Sequence, residues 1–303
     1  MIDPTKQILE LYENFLDRTP AQSEIDYWNN QINLGLKIDE LSQKIEGSKE
    51  AYLLKLKKQA DDPESDSVSV NLDGNTLFID SNDKVAVETY LNTEYEPGTT
   101  NFLKTILKKG MNVINIGANI GYFTLLAARE VGPDGKVFAF EPFPQTVELL
   151  KKNIDSNGYK NVEVISMAVS DRKEKSFLAL KSDSGHNFVT SASNKEYDSI
   201  EISTITADDY FDENLKIDFL IMDAEGYEPK ILDGMKNILE NNLTMQILTE
   251  YNPHTLQIAK TSGQKFLEKL EEFGFSIQVI DIDGQPQNYI KDDILKIKFP
   301  NTA

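Results

Sequence analysis

The chain has no cysteine, one tryptophan and only two histidines. Without cysteine there are no disulfides, no thiolate metal sites and no cysteine nucleophile. It is also short of positive charge: 31 Lys and Arg face 50 Asp and Glu, a formal net charge of −19. Nucleic-acid affinity rests on Lys and Arg neutralising phosphates, and anionic membranes attract the same residues, so this balance argues against both partners. The nearest approach to a basic cluster, Lys55, Lys57 and Lys58, reads as the solvated end of a helix. No run of about 18 apolar residues occurs, as a membrane-spanning helix would need. The first residues, MIDPTKQILELYENFL, lack the basic stretch followed by an apolar one that marks a secretory signal. These absences lead us to expect a cytoplasmic protein without membrane insertion or a nucleic-acid partner.

What is present falls into three regions. In residues 1–60, apolar positions recur at helical spacing: Ile8, Leu11, Tyr12, Phe15 and Leu16; then Ile25, Trp28 and Ile32; then Ile38, Leu41 and Ile45. Gly35 suits the end of the second helix. This reads as a small all-α bundle. Residues 61–67 are polar and acidic and read as a linker. From residue 68 to 303, a hairpin signal around Asp73-Gly74 is followed by alternating strands and helices. The expected strands are Val113–Ile116, Lys136–Phe140, Val162–Ala168, Asp218–Met222 and Met245–Thr249, with Ser276–Ile282 and Ile294–Lys298 closing the chain. The intervening helices are Phe123–Glu130, Thr146–Asn157, Pro229–Asn241 and Gln264–Phe273. Repeated βα units imply a parallel sheet covered on both faces, and the final strand pair suggests an antiparallel edge.

The most informative stretch is VINIGANIGYFTLLAA followed by KVFAFEP. A strand carrying Asn115 runs into Gly117-Ala118-Asn119-Ile120-Gly121 and then into a helix. Glycines permit a sharp turn and close approach of a ligand, and the helix N-terminus suits an anionic group. Glu141, twenty residues beyond Gly121 at the next strand end, is placed to accept from both hydroxyls of a ribose. A dinucleotide loop expects G-x-G-x-x-G, and no glycine stands two positions after Gly117. That argues against a nicotinamide oxidoreductase. A tight turn without ligand remains the plain alternative.

These residues, together with YEPGTTNFLKTILKKGMN, NVEVISMAVSD, ITADDYF, IDFLIMDAEGYEPKILDG and ILTEYNP, resemble the FkbM family of methyltransferases over roughly residues 68–300. The resemblance implies an S-adenosylmethionine-dependent enzyme. Its fold would be α/β, a class I methyltransferase (Rossmann-like) seven-stranded sheet with the last strand antiparallel, here preceded by the small all-α bundle. It assigns cofactor binding to Glu96, Asn115, Gly117, Asn119, Gly121, Glu141, Ala168 and Val169. Two departures stand out: ITADD for the family's T-L-D-D, and Met222 where the family commonly has Lys before the retained Asp223 and Glu225. The helical region is similar to phycobilisome-linker-like modules through its L-Y-x-x-x-L-x-R, Y-W and S-x-E-A pattern, which implies docking to a protein partner and no reaction.

Ligands of open α/β sheets lie beyond the C-terminal strand ends. Asp223 and Glu225 fall there, as do Glu250, Asn252 and His254. A hydroxyl acceptor needs a base or a metal to activate it, so Asp223, Glu225, Glu250 and His254 are candidate catalytic residues. Asp223, Glu250 and Asn252 offer an all-oxygen set suited to Mg²⁺ as an optional second cofactor. Each has a bland alternative, as a helix cap or a metal-free substrate contact. His186 sits in the polar stretch SDSGHNFVTSAS, a candidate lid. The expected reaction is methylation of a hydroxyl on a glycan, glycolipid or small molecule; the rival reading is a non-catalytic subunit on a cofactor-binding fold.

Overall fold

The computed structural model describes residues 3–60, 66–91, 95–181, 184–190 and 197–289. The chain forms two compact units, Met1–Val68 and Ser69–Ala303. Residues 61–65 of the expected linker and the expected strand Ile294–Lys298 lie outside the described residues.

The first unit is helical: α1 (Pro4–Leu16), α2 (Gln22–Asn33), α3 (Ile38–Glu46) and α4 (Lys49–Ala60). Asp3 caps α1 by accepting from the Thr5 amide at 3.0 Å, with Pro4 in the first turn where no amide is needed. Ile8, Tyr12, Leu16, Ile25, Leu41 and Ile45 form its core. Trp28 Nε1 donates to the Tyr12 hydroxyl at 2.9 Å. Arg18 forks between Glu24, at 2.8 and 2.9 Å, and Glu50, at 2.5 and 3.0 Å. Hydrogen bonds from Arg18 hold the Glu24 carboxyl down at about 2. Lys55, Lys57 and Lys58 are exposed, as their reading as a solvated helix end requires.

The second unit begins with a hairpin, β1 (Ser67–Leu72) and β2 (Asn75–Asp80). Asp73 and Gly74 have φ of 51° and 76°, the paired left-handed residues of a two-residue turn. Then come α5 (Lys84–Leu91), α6 (Pro97–Ile106), β3 (Asn112–Ile116), α7 (Tyr122–Val131), β4 (Lys136–Phe140), α8 (Pro144–Ser156) and β5 (Val162–Ile165). Next come β6 (Ala168–Val169), β7 (Lys175–Ala179), β8 (Phe188–Thr190) and β9 (Ser199–Ile205), a second sheet of order β6-β9-β7-β8. The remainder is α9 (Ala207–Tyr210), β10 (Phe219–Met222), α10 (Glu228–Asp233), α11 (Lys236–Asn241), β11 (Gln246–Thr249), α12 (Pro253–Ile258), α13 (Gly263–Glu272), β12 (Gln278–Ile280) and β13 (Pro286–Asn288).

Five parallel strands pair in the order β11-β10-β3-β4-β5. Strands buried on both faces need mostly apolar residues: FLIM is apolar throughout, and NVINI is so apart from Asn112 and Asn115. Alternate residues serve opposite layers. Val113, Phe219 and Ile221 pack with Leu103, Leu126 and Val131. Ile114, Ile116, Leu220 and Met222 pack with Phe138, Ile231 and Phe266. The expected seven-stranded sheet is thus five-stranded among the described residues. Of the expected closing strand pair, Ser276–Ile282 appears as β12, which among the described residues pairs with β13 in a separate hairpin, while Ile294–Lys298 lies outside them. One expected helix, Pro229–Asn241, is two. At the break, a Cβ on Gly234 would overlap the Ser170 carbonyl, so the backbone there must run close to the β6 end.

Chain order turns around between β3 and β10, and that switch point opens a crevice at the C-terminal strand ends. The register makes this crevice orderly. Ile116, Phe140, Met222 and Thr249 all pair on one rung, so Gly117, Glu141, Asp223 and Glu250 form the next row. The Asp223 amide donates to the Ile116 carbonyl at 3.0 Å, and that of Glu250 to Met222 at 3.1 Å, extending the ladder by one residue.

Candidate active site

Beyond that row lies a cavity of about 430 Å³. Of the sequence-predicted residues, Glu96, Asn115, Gly117, Asn119, Glu141, Ala168, Val169, Asp223, Glu225 and Glu250 line it, as does His186.

Glu141 is the best-defined group. Its carboxylate accepts from the Asn119 amide at 2.9 Å on one oxygen and the Phe143 amide at 2.9 Å on the other. It is 8% exposed, and burial pushes its pKa up to about 7 against the pull of those two amides. The grip fixes the carboxylate plane and leaves lone pairs for two further donors, a fit to a ribose diol. Asn119 takes φ of 48° to deliver its amide and uses its own Oδ1 to accept from Ile120 at 2.8 Å. Asn115 is held by donating to Thr124 Oγ1 at 2.9 Å.

The glycines have reasons other than a ligand. A Cβ on Gly117 would overlap the Asp223 carbonyl oxygen, so this glycine lets β3 and β10 end side by side. Gly121 does not line the cavity. Its φ is 101°, and a Cβ there would collide with Leu150 of α8. The loop amides are also committed: those of Gly117 and Ala118 donate to Phe140, that of Asn119 to Glu141, and that of Gly121 to Ala118. The loop therefore presents side chains and backbone edges, not a nest of free amides.

Asp223, Glu225 and Glu250 bring one carboxylate oxygen each within 4.8 Å of one another. Asp223 and Glu250 open onto the water of the cavity while the surrounding protein encloses them. That enclosure, and then Glu250, Glu225, Glu96 and Glu228, push the Asp223 carboxyl well above the usual carboxylate range. Glu250 is pushed up to about 7, by enclosure and then by Glu228 and Glu96, against a hydrogen bond from Asn252. Glu225 holds φ of 50°, an uncommon conformation for a non-glycine residue and one often found at functional sites.

Two further predicted positions lie outside the cavity lining. Asn252 caps α12, its Oδ1 accepting from His254 and Thr255 at 3.1 and 3.4 Å, and its side chain also hydrogen-bonds the Glu250 carboxylate. Among the acidic groups, Glu225 joins Asp223 and Glu250 in the converging set. His254 lies exposed in the first turn of α12, outside the cavity lining.

Glu228, Tyr90, Tyr95 and Thr100 also contribute and were not foreseen. Glu228, 2% exposed, accepts from the Ala224 and Gly226 amides at 2.9 and 3.3 Å and so braces the Asp223–Gly226 turn. The signal was a glutamate before Pro229, at the first position of a helix. Tyr90, Tyr95, Tyr122 and Phe123 form an aromatic wall, with Tyr95 and Tyr122 centroids 4.9 Å apart. Tyr122 is anchored by donating to Asp73 Oδ2 at 2.8 Å, with Thr100 Oγ1 at 3.1 Å. Thr100 in turn donates to the Tyr95 carbonyl at 2.8 Å. Asp73, also paired with Lys104, thereby ties the hairpin turn to the cavity wall. Ser170 turns away, towards the Tyr227 hydroxyl at 3.2 Å.

Fold and site together define a methyltransferase-type cofactor domain, and comparison with known proteins identifies which. Residues 115–277 match the family described as Methyltransferase FkbM domain, more than half of the chain, and the chain belongs to that family. Its cofactor is S-adenosylmethionine, and Glu141 and Asn119, with the Gly117 turn beside them, are the residues suited to hold it. Residues 4–54 match a Domain of unknown function (DUF4214). The chain is 37% identical over 59 residues to a protein-L-isoaspartate O-methyltransferase of Methanothrix thermoacetophila, covering 20% of this chain and 28% of that one. It is 39% identical over 62 residues to a probable cobalt-precorrin-6B C(15)-methyltransferase (decarboxylating) of Sulfolobus acidocaldarius, covering 20% and 32%. The chain thus spans about a third or less of these relatives' length. Among solved structures it is similar to a SAM-dependent O-methyltransferase from Thermotoga maritima, with 16% identity, TM-score 0.38, and coverage of 69% of this chain and 71% of that one. Among the described residues, no helix is long and apolar enough to cross a membrane.

Proposed function

We propose that this protein transfers a methyl group from S-adenosylmethionine to a hydroxyl of a sugar, carried by a glycan, a glycolipid or a small glycoside. The observation that carries this reading is the single row of strand ends, with a backbone-gripped Glu141 at one side and Asp223 and Glu250 at the other. When bound, S-adenosylmethionine supplies an electrophilic methyl on a sulfonium. Glu141 accepts from the ribose hydroxyls and orients the donor. Asp223, with Glu250 beside it, accepts the acceptor's hydroxyl proton as its oxygen attacks in line. Carboxyls raised above the usual range, as both are here, are stronger bases than ordinary ones, which suits them to this task. Asp223, Glu225 and Glu250 would also hold a divalent cation, whose chemistry is to acidify a hydroxyl. A carboxylate acceptor, of the kind named for the isoaspartate relatives, would meet like charge here. Residues 4–60 we assign to interaction.

The test is a tritiated-methyl transfer screen over glycans, glycosides and nucleotide sugars, with and without chelator. Hydroxyl methylation that is lost in Asp223→Ala supports the reading. Methylation of carboxyl or amino groups only, or none across the panel despite S-adenosylmethionine binding, contradicts it. The second outcome favours the non-catalytic subunit.

A further inference from the structure

The cavity is one-sided in charge. Five carboxylates line it: Glu96, Glu141, Asp223, Glu225 and Glu250. Among the described residues no lysine or arginine does so, and His186 is the only basic side chain in the lining. Lys230 sits 4.6 Å over the ring of Tyr227, a wall residue, and stays outside the lining. Lys104 is committed to Asp73, and Arg129 to the Asp73 carbonyl and Glu130. Much of the remaining wall is aromatic, from Tyr90, Tyr95, Tyr122 and Phe123.

An anionic acceptor entering this space would lose hydration and meet like charge, with no lysine or arginine of the described residues in the lining to receive it. Charges several ångströms apart repel appreciably when protein lowers the effective dielectric constant. Aromatic faces carry a negative quadrupole, which disfavours anions and favours C–H edges and cations. Carboxylates and phenols, by contrast, are good partners for hydroxyl and ammonium groups. We infer that the cavity takes a neutral or ammonium-bearing sugar as acceptor and excludes phosphorylated, nucleotide-linked and carboxylated ones. This inference rests on the sugar reading above and narrows its substrate class by charge.

The full chain is saturated with S-adenosylhomocysteine, and four probes are then titrated by calorimetry: methyl glucoside, glucosamine, glucose 6-phosphate and glucuronate. The expected result is that the first two bind at least tenfold more tightly than the last two. Thr99 is half-buried in the first turn of α6 and lines the cavity. In Thr99→Lys, glucose 6-phosphate should close to within about threefold of methyl glucoside. Equal or tighter binding of the phosphate or the acid by the unaltered chain, or no discrimination among the four, overturns the inference. Failure of S-adenosylhomocysteine itself to bind would instead sink the methyltransferase reading, so the two failures are separable.

Discussion

Glu141 and Asp223 stand on the same row of strand ends, yet the protein treats them differently. Glu141 is nearly closed off from solvent, and each of its oxygens is met by a backbone amide. Asp223 is open to the cavity and accepts no hydrogen bond among the described residues; its nearest company is other carboxylates. Backbone donors do not move, so Glu141 is preorganised for one geometry, as recognition of a diol demands. A group faced mainly by like charge is left wanting a proton or a cation, as activation of an acceptor demands. The same residue class is thus built for holding in one place and for chemistry in the other.

Variants should separate the two roles. Asp223→Ala should lower methyl transfer by roughly 10²–10⁴-fold, the usual range for removing a general base, with cofactor affinity within a few-fold of the parent. Full transfer in this variant, with and without chelator, would remove both the base and the metal role. Glu141→Ala should weaken S-adenosylmethionine binding by about 1.5–3 kcal/mol, the worth of hydrogen bonds to a charged group. Gly121→Ala should lower the melting temperature through its φ of 101° and the collision with Leu150. If thermal unfolding is unchanged there, the packing account of that glycine is wrong.

The pH response sharpens the contrast further. The empty Glu141 carboxyl has a pKa raised to about 7, so it is increasingly protonated below neutrality. Binding a diol favours its ionised form, so S-adenosylmethionine affinity should fall several-fold from pH 8 to pH 6. That slope should flatten in Glu141→Gln. The smallest effect belongs to the helical unit. Glu24 is held near 2 by Arg18, below its unfolded value, so its stabilisation is present above about pH 4.5 and is lost as acid approaches 2. Both partners are about one-third exposed. Arg18→Ala should therefore cost at most about 1 kcal/mol, seen as faster amide exchange confined to residues 4–60.

Legibility in the sequence followed local pattern. The β3–α7–β4 core could be read nearly to the residue because buried parallel strands are short apolar runs and the intervening turn is rich in glycine. Glu141 was legible from its place after a strand. The second sheet, in which β7 lies between β8 and β9, was not: KSFLA, FVT and SIEISTI mix polar residues into short runs whose pairing is out of chain order. Gly121 stands against Leu150 outside the cavity lining, and a left-handed glycine looks alike in sequence whether a ligand or a side chain approaches it. Asn252 and His254 follow a strand end and enter the first turn of α12, outside the lining, with Asn252 still bonded to Glu250. Glu228 and the Asp73–Tyr122–Thr100 chain escaped because each acts across separations that only the fold closes.

The most direct test of the division between the two acids is a pair of calorimetric titrations with S-adenosylmethionine at pH 8. In Glu141→Ala the dissociation constant should rise at least tenfold, and in Asp223→Asn it should stay within about threefold of the parent. Equal losses in the two variants, or an unchanged constant in Glu141→Ala, would contradict it.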